Sequence, residues 1–158
     1  MAKRNLGQEV HYVPLLASVA LSATSTMDAV NMGLFNKVDF IICLGELATA
    51  NFALTVVADT AVTVTSATAI AFNYRVSAAA GTDTMGDVTA CASTGLTLTD
   101  GTYDNKTLII SVDSDSLTAG KKYCRPLLTD PGTADAVISV VAACYPRYPQ
   151  ETPSLALT

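Results

Sequence analysis

The chain has 158 residues, of which half are hydrophobic and only 15% are charged, and its formal net charge is −5 at pH 7. A chain of this length fits one domain that can bury a sizeable core. The acidic balance excludes a broad basic surface for nucleic acid, because neutralising phosphates needs clustered Lys and Arg.

Residues 1–24 are predicted to form an extended N-terminal arm. Lys3 and Arg4 followed by an apolar stretch superficially resemble a secretory signal, but Glu9 and Pro14 interrupt the pattern. We expect neither a signal peptide nor a membrane span, which needs about 20 apolar residues. The apolar arm is expected to dock on a sheet edge, of its own chain or, as we favour, of a neighbour. The arm residues assigned to this interface are Val10, Tyr12, Val13, Leu15 and Leu16.

Residues 25–145 have the pattern of a β-domain. β-Branched residues dominate and turn signals recur at short intervals, which is typical of a sandwich or barrel. Alternation along Ile70–Ser77 places every second residue on one face. Val38–Leu44 and Val137–Ala143 are nearly continuous apolar runs, which predict central strands buried on both faces. The other predicted strands are Ala29–Leu34, Phe52–Val57, Asp87–Ala90, Leu96–Thr99, Thr107–Val112 and Tyr123–Leu128.

Turn signals separate these strands. Asp130-Pro131-Gly132 predicts a turn, and residues 113–120 predict one short helical turn that Gly120 ends. No long amphipathic helix is predicted. Residues 146–158 contain three prolines, so we expect a Pro-rich tail that cannot continue a central strand.

The four cysteines do not form a zinc motif. None sits in a C-x-x-C pair, and one His cannot complete a site of the usual ligand spacing. Cys43, Cys124 and Cys144 lie in apolar runs, where Cys behaves as a small buried hydrophobe. We expect free thiols in a reducing cytosol, with Cys43 and Cys144 slow to react. A disulfide stays open, because distance decides it.

No catalytic motif is found. The only His, His11, lies in the arm between Val10 and Tyr12, where a Ser-His-Asp triad has no support. Neither a nucleophile elbow nor a phosphate-binding glycine loop occurs. Asp113-Ser114-Asp115 begins like a calcium loop, but Thr118 replaces the required Gly and no Glu closes the loop. We expect no catalytic residue, no cofactor and no metal.

Two segments resemble small virion proteins of tailed bacteriophages. Residues 33–45, GLFNKVDFIICLG, are similar to their "G-hydrophobe-x-S/N-x-V-x-F-x-hydrophobe-x-x-G" segment. Residues 120–129, GKKYCRPLLT, followed by Val137–Ala143 and Pro146-Arg147, resemble the same proteins. The cysteines at 43 and 124 depart from the pattern. The resemblance implies a head decoration or cement subunit, and it carries over no catalytic or ligand residue.

Pattern and resemblance together predict an all-β protein, one antiparallel β-sandwich for which a jelly roll is one arrangement. The share of charged residues lies below the roughly 25% of typical globular proteins. This favours faces buried by neighbouring subunits over a monomer with a well-filled core. We expect a non-enzymatic structural subunit of a phage particle, assembled in the host cytoplasm, that decorates or cements the capsid. The open alternatives are a tail or connector component, a soluble ligand-binding sandwich and an undetected hydrolase.

The expected partners are the major capsid protein and copies of the chain itself in a homo-oligomer, without direct contact to nucleic acid or membrane. Tyr123, Arg125 and Arg147 are assigned to these contacts, because Tyr and Arg are enriched at interfaces and Lys is depleted. Lys121 and Lys122 are expected to be solvated. The alternative for Arg125 is a carboxylate partner on its own domain.

Overall fold

The computed structural model describes residues 9–21, 23–25, 27–47, 51–63, 66–129, 136–148 and 155–157. Over these residues the chain is almost entirely antiparallel β-structure in two sheets, which confirms the predicted all-β sandwich. The strands are β1 His11–Leu21, β2 Val30–Asn31, β3 Phe35–Leu44, β4 Phe52–Asp59, β5 Thr68–Ile70, β6 Phe72–Val76, β7 Thr89–Cys91, β8 Leu96–Leu98, β9 Thr107–Asp113, β10 Tyr123–Thr129 and β11 Ala136–Pro146.

The strand order is that of a jelly roll. The six-stranded sheet has the order β1-β11-β3-β9-β6-β7, and the second sheet has the order β2-β10-β4-β5. Strands β5 and β8 pair with different parts of β4. The first four strands of each sheet reproduce the two interleaved Greek keys of a jelly roll, and β6 and β7 extend the larger sheet.

The core lies between the sheets and is built from every second residue of the strands. Val38, Phe40 and Ile42 of β3 are fully buried, while the residues between them face away from the core. β11 contributes Ile138 and Val140 in the same way. Both strands are paired on both sides, as predicted for central strands.

The apolar runs of β3 and β11 predicted strands buried on both faces. For the described residues this prediction was wrong. Cys43 and Val137 are exposed, and Ile41 and Val141 are only half-buried. Their side chains point away from the core, and the described residues form no third layer that covers them. The six-stranded sheet therefore has an outer face with an apolar content unusual for an antiparallel sheet.

The predicted strand Ile70–Ser77 divides at Ala71. Its first part, β5, belongs to the second sheet, and its continuation, β6, belongs to the six-stranded sheet. The chain therefore crosses from one sheet to the other at this residue. The predicted face is confirmed, because Ile70 and Phe72 are buried and Tyr74 packs against the same core.

Turns follow the glycine signals. The predicted helical turn is confirmed as a 3₁₀ turn at Ser114–Ser116, and Gly120 follows with a φ of +84°. At Gly95 the φ is +87°, and a Cβ atom would lie 2.5 Å from the Leu54 carbonyl oxygen. Glycine is required there both by conformation and by space. The predicted turn at Asp130-Pro131-Gly132 lies outside the described residues.

A buried carboxylate holds the loop after β4. Asp59 accepts hydrogen bonds from the backbone N–H groups of Thr60, at 2.5 Å, and Ser66, at 2.6 Å. Burial alone would raise the pKa of the Asp59 carboxyl, but the N–H groups of Ser66, Thr60 and Ala61 together hold it below its ordinary value. The loop is thus fastened to the end of the strand that precedes it.

The N-terminal arm is a strand of its own domain. β1 runs antiparallel to β11, from His11 opposite Cys144 to Leu21 opposite Ala136. The edge against β11 is thus supplied by the same chain, which was the alternative left open, and not by a neighbour as favoured; the same chain also supplies a core position for Val13. A register shift follows Pro14, where the missing N–H interrupts regular pairing.

The described part of the C-terminal tail also returns to its own domain. β11 continues through Pro146, one residue past the predicted boundary, and the register shifts between Tyr145 and Pro146. The carbonyl of Ala156 accepts a hydrogen bond from the N–H of Asn31 in β2, at 2.8 Å. Ala156 is buried, so the tail covers this edge of the second sheet.

Two matched valine truncations test whether β1 belongs to the core. Val13 in β1 is 8% exposed and Val137 in β11 is 50% exposed. Val13→Ala removes buried apolar volume and should lower the free energy of unfolding by about 2 kcal/mol. Val137→Ala should lower it by less than about 1 kcal/mol. Urea denaturation measures both, and equal effects would contradict the placement of β1.

Candidate functional site

The outer face of the six-stranded sheet carries an apolar row across four strands. The register places Pro14 of β1, Val141 of β11, Ile41 of β3 and Ile109 of β9 side by side. Pro14 is exposed, and the other three side chains are half-buried. We call these four residues the apolar row. It runs through the middle of the sheet, where solvent-facing positions of an antiparallel sheet are ordinarily polar.

A polar cluster lies beside the apolar row. Asp39 accepts a hydrogen bond from the Ser111 hydroxyl at 2.5 Å, and its carboxylate lies 2.9 Å from the Lys37 ammonium nitrogen. The Tyr145 hydroxyl donates to the same carboxylate, and the Lys37 nitrogen lies 5.4 Å from the Tyr145 ring centroid. The charges of this cluster are thus paired within the chain before any partner arrives.

Tyr145 remains a neutral donor in this setting. Burial, followed by the hydrogen bond and the charge of Asp39, raises the pKa of Tyr145 to about 12. Tyr12 contributes to the same shift, so the two tyrosines are neighbours on the outer face. Tyr12 is 46% exposed. A pair of tyrosines beside an apolar row has the composition of an interface core.

The charges on the outer face balance. Lys37 and Arg75 stand against Asp39 and Asp113, all on outward positions of the central strands. The chain as a whole carries a net charge of −5. This face is therefore a neutral region of an acidic protein, and apolar contact rather than long-range attraction dominates its interactions.

Of the arm residues assigned from sequence, Tyr12 is the one that lies on the outer face. Val13 is in the core, and Leu15 and Leu16 pack partly buried against it. Val10 is half-buried just before β1. Sequence alternation could not separate these positions, because β1 changes register twice between Pro14 and Val19.

Arg125 and Arg147 both bind main-chain carbonyls of their own chain. The Nη1 group of Arg125 donates to the Met27 carbonyl at 2.5 Å, and the Nη2 group of Arg147 donates to the Met32 carbonyl at 3.2 Å. Tyr123 is buried where β10 pairs with β2. The sequence left open that Arg125 pairs with a carboxylate of its own domain instead of a neighbour. The structure shows a partner in its own domain, but this partner is the Met27 carbonyl. A contact of these three residues with a neighbour stays a prediction.

The prediction of a solvated Lys121 was wrong. Its ammonium group donates to the carbonyls of Ala58 and Ser66 at 3.2 and 2.9 Å, and to the Thr68 hydroxyl at 2.5 Å. The nitrogen of Lys122 lies 5.4 Å from the Tyr123 ring centroid. Lys121 and Asp59 therefore both hold Ser66 in the loop between β4 and β5, the first through its carbonyl and the second through its N–H group.

The four thiols are free but differ in environment. Cys43 is exposed on the outer face, whereas Cys124 and Cys144 are buried in the core. Burial raises the pKa of Cys144 to about 12 and moves the pKa of Cys124 still further above its ordinary range. The expectation that Cys43 lies buried was wrong, because its position in β3 alternates with Ile42 and Leu44.

The described residues contain no group of three His, Cys, Asp or Glu side chains that could hold a metal ion. His11 packs with its ring centroid 6.3 Å from that of Phe35. A separate finding concerns membranes. In the part of the chain that the structure describes, no helix is long and apolar enough to cross a membrane.

Comparisons with protein-family models, with curated proteins and with solved structures found no match to this chain. The resemblance to phage virion proteins therefore stays a prediction from residues 33–45 and the C-terminal segments.

The intramolecular role of Arg125 can be tested without any partner. Arg125→Ala removes a charged donor from the Met27 carbonyl and should lower the free energy of unfolding by about 1–2 kcal/mol. Arg75 is exposed, so Arg75→Ala is the matched control and should change stability by less than about 0.5 kcal/mol. Thermal and urea denaturation of the two variants give the comparison. Equal stability of Arg125→Ala and the wild type would show that the bond to the Met27 carbonyl does not stabilise the fold.

Thiol modification should separate the cysteines by burial. A maleimide should label Cys43 quickly in the folded protein, because its side chain is exposed. Cys124 and Cys144 should react only as fast as the domain opens, since burial keeps both thiols neutral. Mass spectrometry of digested samples over time measures the rates. Rapid labelling of either core cysteine would contradict the packing described.

Proposed function

We propose that the chain is a non-enzymatic structural subunit of a bacteriophage particle, which decorates or cements the capsid by burying the outer face of the six-stranded sheet. The observation that carries this proposal is the apolar row of Pro14, Val141, Ile41 and Ile109 on a face that the described chain leaves uncovered. A partner surface would remove that row from water.

The energetics of the row suit a protein contact. Burying apolar surface contributes about 25 cal/mol per Å², and fully burying one Val or Ile side chain contributes about 1.5–3 kcal/mol. Val141, Ile41 and Ile109 are already half-buried, so each would add a fraction of that amount. Such small gains add up only if the three side chains are held rigidly in place. The neighbouring paired strands β11, β3 and β9 hold them.

The polar cluster supports the same role. Burial of an unpaired charge is strongly unfavourable. Asp39 is already satisfied by Lys37, Ser111 and Tyr145, so a partner can cover it without supplying a new counter-charge. Tyr12 and Tyr145 add the amphipathic side chains that interface centres prefer.

The choice of a capsid as the partner is supported by the sequence resemblance and not by the fold. Jelly rolls occur in viral capsid proteins and in lectins, so the fold is compatible with several functions. Residues 33–45 and 120–129 resemble virion proteins of tailed phages, and residues 33–45 include all of β3, which lies near the centre of the outer face. A tail or connector subunit of the same particle would use this face in the same way.

One substitution on each sheet tests the proposal. Val141 and Thr55 both lie on central strands, are half-buried, and face outward on opposite sheets. Val141→Lys places a charge in the apolar row and should weaken binding to preformed capsids of the encoding phage at least about tenfold, which is about 1.4 kcal/mol. Thr55→Lys should bind like the wild type. Co-sedimentation measures binding, and thermal denaturation verifies that both variants fold.

If Val141→Lys binds capsids as tightly as Thr55→Lys, the outer face is not the docking surface. If the wild-type chain does not bind capsids at all, the proposal of a decoration subunit fails.

A further inference from the structure

The edge strands of the two sheets differ in length and in how far other segments cover them. Four strands lie at edges with only two or three residues each, namely β2, β5, β7 and β8. The tail reaches β2 through Ala156, so that edge is also partly covered. Short or covered edges are the usual protection against unwanted strand pairing. β1 is different, because it has eleven residues and, among the residues that the structure describes, pairs on one side only.

The open side of β1 lacks the charged residues that usually guard an edge. The segment His11–Leu21 contains no Asp, Glu, Lys or Arg. Pro14 and the two register shifts disturb the first half of the strand. After the second shift, Val19, Ala20 and Leu21 pair regularly with β11, and residues 17–20 are all exposed. Their side chains are small, so another backbone can approach closely.

We propose that β1 pairs with β1 of a second copy, antiparallel and about a two-fold axis near Val19. A strand can pair with its own copy in this way because an antiparallel pair is itself symmetric, and the two-fold contact is self-complementary. The acidic chain carries a net charge of −5, yet the strands that meet carry no charge to repel one another. The other edges are too short to offer an equivalent row of backbone groups.

Val19 would face its own copy at the centre of this contact. It is 41% exposed, although the opposite residue on β11, Ile138, is fully buried. The position points to the inner side of the sheet, at the open flank of the sandwich. Pairing would bring the two Val19 side chains together and cover the flank in both copies.

Pairing at this edge would join two six-stranded sheets into one continuous sheet. The two outer faces would then lie on the same assembly, with Tyr12 and Pro14 of each copy toward the junction. This consequence rests on the proposed function: a dimer would present two docking faces and bind a capsid with higher avidity than one chain. The pairing itself depends only on the edge of β1.

The test uses the oligomeric state of the purified chain without capsids. Light scattering after size-exclusion chromatography should give a dimer for the wild type. Val19→Lys sets like charges against each other at the axis and should give a monomer with an unchanged circular dichroism spectrum. Thr97 is an exposed residue of the edge strand β8, so Thr97→Lys is the matched control and should remain dimeric.

A charge-swap mixture tests the pairing directly. Val19→Glu alone should also be monomeric, whereas an equimolar mixture of Val19→Glu and Val19→Lys should recover dimers. Hydrogen exchange at residues 17–20 should be slower in the wild type than in either single variant. A wild-type chain that stays monomeric, or a dimer that survives Val19→Lys, overturns the proposal. Protection of these residues only on capsids would assign the edge to the capsid protein and would also overturn it.

Capsid binding separates this inference from the proposed function. The Val19→Lys monomer should still bind capsids through the outer face, with lower apparent affinity. A wild-type dimer that binds no capsid would reject the decoration role alone, and a wild-type chain that is monomeric yet binds capsids would reject the edge pairing alone.

Discussion

Pairing of the first strand with the last one is the constraint on which the rest of the structure depends. When β1 lies against β11, it places Val13 and Leu21 over the core and completes the strand order of the jelly roll. The same pairing adds Pro14 to the apolar row and brings Tyr12 beside Tyr145. It also makes β1 the new edge of the sheet. The outer face and the open edge are therefore two results of one set of backbone hydrogen bonds.

Several charged side chains bind main-chain groups of their own chain. Lys121, Arg125 and Arg147 each donate to main-chain carbonyls, and Asp59 accepts from main-chain N–H groups. These long or buried side chains fasten loops to strands, which a sandwich with many short strands needs at its ends. The outer face keeps the four charged side chains described above, which balance one another, and the apolar row lies among them in a chain with 15% charged residues.

The two surfaces discussed above differ in physical character. The outer face offers side chains on rigid central strands, and its polar cluster is already satisfied. The edge of β1 offers backbone groups with small side chains and little specificity of its own. A face of the first kind distinguishes among partners by shape, whereas an edge of the second kind suits a partner whose strand matches it, as a copy does.

Most of the fold could be predicted because strands leave a period-two pattern in the sequence. Eight of the nine predicted strands overlap one of the strands longer than two residues, and Ala29–Leu34 overlaps the two-residue β2. β1 was missed as a strand of its own domain because Pro14 and two register shifts break its alternation. Of the residues assigned to an interface from sequence, the structure places Tyr12 on the outer face. The sequence did not single out Ile41, Val141 or Ile109. An uninterrupted apolar run does not show which of its faces is covered.

The sequence alone determined the fold class, the positions of most strands and the absence of a broad basic surface, since these follow from local alternation and composition. Only the tertiary structure decided that the arm pairs within its own chain, that Cys43 faces outward, and that Arg125 and Arg147 bind carbonyls. Each of these depends on which backbone lies beside which. Every residue except proline carries the same carbonyl and N–H groups, so the order of side chains does not show which backbone segment such a group will bind.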